Sequence, residues 1–175
     1  MSDQEKISEA AGVAVEMERK GIAFYQAAAQ KMSDPFARRM FLSIAEDEKR
    51  HERMFREMAA KAGVRPADVE EMNSGSPLQR IRTIFRELGR QVSEDLRPDD
   101  DQIQALDVAI GMEEASYKFY SETAETCADP KEKELLLLIA NEENEHYRIF
   151  DDTRLYLTNQ AEWNIKEEKP LIDGG

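Results

Sequence analysis

Both histidines of the chain follow a glutamate by three residues, in Glu48-x-x-His51 and Glu143-x-x-His146. On a helix, residues three apart share a face, with Cβ atoms about 5–6 Å apart. A carboxylate and an imidazole at that spacing can occupy neighbouring coordination positions on one metal ion or on an adjacent pair. A single such pair on a charged helix is ordinarily a solvated face. Here the pairs come with partners. Glu18 and Glu113 each lie one helix earlier, in Met17-Glu18-x5-Phe24-Tyr25 and Met112-Glu113-x5-Phe119-Tyr120.

One offset, 95, separates Glu18 from Glu113, Glu48 from Glu143 and His51 from His146. Asp34-Pro35 and Asp129-Pro130 obey it too, and about fifteen of some forty-five residues between 14 and 58 are identical to their counterparts. The chain therefore contains two copies of one helical hairpin. Charged neighbours of the ligand positions have diverged, Lys49 against Asn144, Arg50 against Glu145 and Glu52 against Tyr147, while the six candidates are unchanged. A glutamate from each of two helices, plus Glu-x-x-His from each of two others, is the inward-facing set of di-iron and di-manganese carboxylate bundles. Four carboxylates balance two divalent cations. Without metal, four inward glutamates are costly to keep ionised, and some protonate.

The elements that must position these residues are four long segments with helical periodicity and no internal proline. They run from about residue 7 to 32, 36 to 62, 99 to 127 and 130 to 159. Val13, Met17, Phe24 and Ala28 are inward candidates on the first. Asp34 and Asp129 suit helix caps, and the prolines that follow suit the first helical position. The fold class expected is all-α, a four-helix bundle of two repeated helical hairpins over residues 1–160. A long crossover, residues 63–98, holds a short amphipathic helix with Leu78, Ile81, Ile84, Phe85, Leu88 and Val92 on one stripe. A tail, 161–175, follows, with Trp163 expected to dock it.

Several side chains near the ligands read more modestly. Tyr25 and Tyr120 are core aromatics with a polar tip, placed where they can also bond the ligands. Asp47 and Glu142 stand one turn before each histidine and read as exposed acids, with a bond to a ligand imidazole as the other reading. The phenylalanines read as packing, and Cys127 as an inert thiol.

With 175 residues the chain can bury a substantial core, and its net charge of −13 disfavours nucleic acid and anionic membrane as partners. A single cysteine excludes an internal disulfide and an all-cysteine metal site, and suits the reducing cytoplasm. The opening MSDQEKISEA is polar, without the apolar core of a signal peptide, and no run approaches the roughly 20 apolar residues that span a membrane.

At these residues the sequence resembles the rubrerythrin family of ferritin-like proteins. The likeness runs from about Ile7 to Leu157, and the MExxGxxFY motif, Met17 to Tyr25, favours rubrerythrin-like members over true ferritins. The resemblance implies that Glu48 and Glu143 bridge two iron ions, that Glu18 and Glu113 are terminal ligands, and that His51 and His146 each complete one metal. Manganese and zinc also accept this donor set. It implies a redox enzyme acting on peroxide or dioxygen, re-reduced by an external rubredoxin or flavoprotein, and a homodimer, with exchange of hairpins between subunits as a variant. Two departures stand out. The single cysteine cannot build the four-cysteine iron site of the rubredoxin-like domain found in full-length members. The further glutamate of peroxidase-type members, one turn after the third-helix ligand, is replaced by Ser116, and Glu114 points about 100° off the ligand face. Iron oxidation for storage or delivery, and a non-enzymatic helical module with structural metal, are the alternative functions.

Overall fold

No proline interrupts the four periodic segments, and each folds as one unbroken helix. The computed structural model describes residues 3–61, 100–159 and 161–163. The helices are α1 (Asp3–Lys31), α2 (Pro35–Lys61), α3 (Asp100–Thr126) and α4 (Pro130–Thr158). Their ends lie close to the limits read from periodicity. The crossover expected at 63–98 and the tail beyond Trp163 lie outside the described residues.

Two tight turns make the hairpins, and both are capped by the expected aspartates. Asp34 Oδ1 accepts the Ala37 amide at 2.8 Å. Asp129 does the same work twice, with Oδ1 accepting from Lys131 N at 2.8 Å and Glu132 N at 3.1 Å. Each cap satisfies amides that the first helical turn leaves without an intrahelical partner. Connections this short fold consecutive helices back antiparallel, α1 on α2 and α3 on α4.

Cross-hairpin contacts fix the remaining directions. Ser33, just after α1, donates from N and Oγ to Gln102 near the start of α3, at 3.2 and 3.1 Å. Tyr25 of α1 reaches Glu113 of α3, and Tyr120 of α3 reaches Glu18 of α1. These pairings require α1 and α3 to run antiparallel, so α2 ends and α3 begins at opposite ends of the bundle. The equivalence of the two pairings is the pseudo-two-fold axis that the repeat predicts.

The core follows the helical stripes. On α2, Ala37, Met40, Phe41, Ile44, Ala45, Phe55, Met58 and Ala59 are buried at three- and four-residue spacing. Val13, Met17, Phe24 and Ala28 of α1 are buried as expected. Aromatic rings pack around the middle, with Tyr25 5.3 Å from Phe150 and Tyr120 4.9 Å from Phe55 between centroids. These two contacts are again one repeat apart. Phe41 adds a third ring, 5.0 Å from Phe150, where the second hairpin has Leu136. Each large side chain so buried contributes about 1.5–3 kcal/mol. Beyond α4, Trp163 lies edge-on to Tyr156 at 5.2 Å between centroids. Among the described residues no helix is long and apolar enough to cross a membrane.

Candidate metal centre

The buried stripe of α2 contains two ionisable residues, Glu48 and His51, and that of α4 contains Glu143 and His146. All four are buried, and so are Glu18 and Glu113. The six positions singled out by spacing therefore lie in the interior. Their spacing on each stripe carries them inward: Glu48 and His51 continue the series Phe41, Ile44, Ala45 without a change of face.

The side chains meet midway along the bundle. Atoms of Glu18, Glu48, His51 and Glu143 lie within 4.8 Å of one another, and so do atoms of Glu48, Glu113, Glu143 and His146. Glu48 and Glu143 belong to both groups. The arrangement is two adjacent donor sets sharing two carboxylates, with one further carboxylate and one imidazole private to each.

Both imidazoles point Nδ1 inward and Nε2 outward. His51 Nδ1 is 2.9 Å from Glu48 Oε2 and 2.9 Å from Glu143 Oε1. His146 Nδ1 is 3.2 Å from Glu48 Oε1 and 3.7 Å from Glu113 Oε2. On the outer side His51 Nε2 meets Glu142 Oε2 at 2.7 Å, and His146 Nε2 lies 3.5 Å from Asp47 Oδ2. Each outer acid comes from the opposite hairpin. In a neutral ring, an outward Nε2–H given to a carboxylate would leave the Nδ1 lone pair facing the centre, the tautomer a metal ligand needs. The reading of Asp47 and Glu142 as merely exposed acids is thus corrected. Sequence placed them beside their own helix's histidine, but the partner is the other helix's, which only the packing of α2 against α4 supplies.

The tyrosines also act across the axis. Tyr25 Oη donates to Glu113 Oε1 at 2.6 Å, and Tyr120 Oη donates to Glu18 Oε1. Burial, then the neighbouring carboxylates, push both phenols well above their usual range, so they remain protonated donors. Glu114 is exposed and Ser116 buried, in keeping with the expected facing of that turn of α3. Gly21, the counterpart of Ser116, lies beside Glu48: a Cβ there would sit 3.8 Å from Glu48 Cγ. Cys127 is buried near a helix end, and burial raises its thiol pKa, which fits an inert role.

The charge state shows how poorly protein alone satisfies this cluster. Burial, together with the charge of Glu48, pushes Glu18 and Glu143 well above the usual carboxylate range. Glu113 moves the same way for the same reasons. Glu48 falls to about 2: burial opposes this, but hydrogen bonds and charge from His146 and His51 outweigh it. His146 rises to about 11 against burial, held by Glu113 and Glu48. Even so, Glu48 Oε1, Glu113 Oε2, Glu143 Oε1 and His146 Nδ1 are buried without a well-directed hydrogen bond, although His51 Nδ1 lies 2.9 Å from Glu143 Oε1. The approach of His146 Nδ1 to Glu48 Oε1 is close but misdirected. Buried polar atoms left without a well-directed partner are rare and costly. Four of them converging in two overlapping donor sets fit a pair of cations, which would replace the protons that the glutamates otherwise hold.

The fold and the cluster together define a ferritin-like four-helix bundle with a buried carboxylate–histidine centre able to take metal. Residues 12–154 match the family model for rubrerythrin, and the chain belongs to the rubrerythrin family. No curated protein and no solved structure matches it.

Proposed function

We propose that the chain is a di-iron redox protein that reduces peroxide or dioxygen with electrons from an external donor. The observation that carries this reading is the pair of overlapping donor sets with Glu48 and Glu143 in common. Those two carboxylates would bridge the irons, Glu18 and His51 would complete one coordination sphere, and Glu113 and His146 the other. Manganese or zinc would be accepted by the same atoms. When bound, the irons supply electrons and Lewis acidity. Reduction of hydrogen peroxide to two waters consumes two electrons and two protons. The residues of the chain prepare that step. Tyr25 and Tyr120 hold a proton against Glu113 and Glu18 and fix the orientation of the terminal carboxylates. Glu142 and Asp47 orient the imidazoles. Phe41 and Phe150, packed on Tyr25, and Phe55, packed on Tyr120, are fully buried and would help keep bulk water away. A separate rubredoxin or flavoprotein is proposed as the donor.

The test is anaerobic loading with Fe(II), followed by addition of peroxide or air. Two irons per chain, oxidised within seconds by peroxide and reduced again by a rubredoxin, are expected. A loaded protein inert to both oxidants overturns the redox reading. Rapid oxidation by air with deposition of an iron mineral inside a cage shifts it to storage.

A further inference from the structure

On the outer side of the centre the repeat sets an arginine, Arg50, against an acid, Glu145. Arg50 lies between the two acids that meet the histidines. Its Nη2 donates to Asp47 Oδ1 at 2.9 Å and to Glu142 Oε2 at 2.8 Å, and its Nη1 reaches Glu142 Oε1 at 3.2 Å. Glu142 Oε2 in turn is 2.7 Å from His51 Nε2, and Asp47 Oδ2 is 3.5 Å from His146 Nε2. The counterpart of Arg50 is Glu145, an exposed acid. A guanidinium fork therefore grips one outer carboxylate by two bonds and the other by one. The shorter carboxylate–imidazole distance is on the side gripped twice.

We propose that Arg50 is a positioning residue that locks Glu142 onto His51, and so makes the two halves of the metal centre inequivalent. The proposal rests on the reading of the cluster as a metal centre. The physical case is direct. Asp47 and Glu142 are part-exposed, with side chains 39 and 25 % accessible, so water competes for them. An acid that turns to water no longer holds the imidazole, and the Nδ1 lone pair loses its fixed direction. Arg50 removes that freedom, and it does so across α2 and α4. Its planar fork bonds two oxygens of Glu142 at once, which an ammonium cannot do. A carboxylate behind a ligand histidine is commonly worth 10–100-fold in metal affinity. The loss of Arg50 should be felt through Glu142 first.

The experiment is titration of the metal-free chain with Co(II), following the visible bands of each bound ion. The wild type is expected to bind two ions. Arg50→Gln should weaken one step about tenfold and the other by less than about threefold, with helix content unchanged. Arg50→Lys should recover only part of the loss. Adding Arg50→Gln to Glu142→Gln should cost nothing further, whereas adding it to Asp47→Asn should cost the same tenfold. Unchanged binding in Arg50→Gln, equal weakening of both steps, full recovery with lysine, or a loss additive with Glu142→Gln would each overturn the assignment and leave the metal centre standing. A wild type that binds fewer than two ions sinks the metal reading itself, and the inference with it.

Discussion

The two hairpins agree inside and disagree outside. Residues 3–61 carry eleven acids and eleven bases, a formal charge of 0, whereas residues 100–158 carry fifteen acids and five bases, a formal charge of −10. Arg19, Arg39, Arg50 and Arg56 of the first hairpin correspond to Glu114, Glu134, Glu145 and Asp151 of the second. The buried residues differ far less: the ligands, Tyr25 with Tyr120, and Phe55 with Phe150 are retained at one offset. An interior position is constrained by every neighbour it touches, and these six converge in one buried cluster. An exposed charge is constrained weakly, because solvent screens it. Arg50 is instructive because it sits at the boundary. It counts among the reversed charges, yet it reaches both acids that lie beside the histidines.

The comparison can be broken most severely at the shared ligands. Glu48→Ala and Glu143→Ala should each abolish uptake of both metals while retaining helix. Normal metal stoichiometry in both variants, measured by elemental analysis beside far-ultraviolet circular dichroism, would refute their bridging role. Equal damage from the two is the sharper expectation, since they occupy equivalent places.

The private residues come next. Tyr25→Phe leaves Glu113 Oε1 without its 2.6 Å donor, and Tyr120→Phe does the same to Glu18. Each should cost about 1–3 kcal/mol in the metal-free protein, the penalty of an unsatisfied buried group. Denaturant unfolding of both variants measures it. A cost confined to one tyrosine would show that the halves are less alike than their geometry.

Protonation offers a comparison between metal-free and loaded forms. Glu18, Glu113 and Glu143 have folded pKa values raised above 4.5, so the metal-free native state binds more protons than the unfolded chain above that value. Their contribution to stability is present below about 4.5 and falls as pH rises through the raised values. His146, raised from 6.5 to about 11, acts in the same sense at higher pH. Glu48 acts oppositely, its contribution being lost only as pH falls from 4.5 toward about 2. Metal-free protein should therefore melt at higher temperature near pH 5 than near pH 8, and the loaded form should show the reverse, because acid displaces cations from carboxylates. Calorimetric scans at several pH values decide it. A metal-free melting temperature that climbs with pH contradicts the proposed protonation of the cluster.

The smallest effect separates the two turns. Asp129 accepts two amides at its helix start and Asp34 accepts one through its side chain. Asp129→Ala should cost about 1 kcal/mol, and Asp34→Ala somewhat less. A larger loss from Asp34→Ala in thermal unfolding would mean that other contacts of that turn outweigh the cap.

Spacing along the chain was enough for the helices, the hairpin repeat and the six inward candidates. Helical geometry converts a three-residue interval into a shared face, and a constant offset of 95 converts one face into two. The same offset paired Tyr25 with Tyr120, read first as core aromatics with a polar tip, and the packed bundle adds that each tip bonds a carboxylate of the cluster. Spacing failed at Asp47, Glu142 and Arg50. Local spacing tied each acid to its own helix, and Arg50 looked like one more diverged surface charge. The partners that matter lie ninety or more residues away: Glu142 beside His51, Asp47 beside His146, and Arg50 on Glu142. Periodicity reports which way a side chain faces from its own axis, and so the buried set was visible in the sequence. Which residue it faces depends on how two helices are placed against each other, and only the packed bundle decides that.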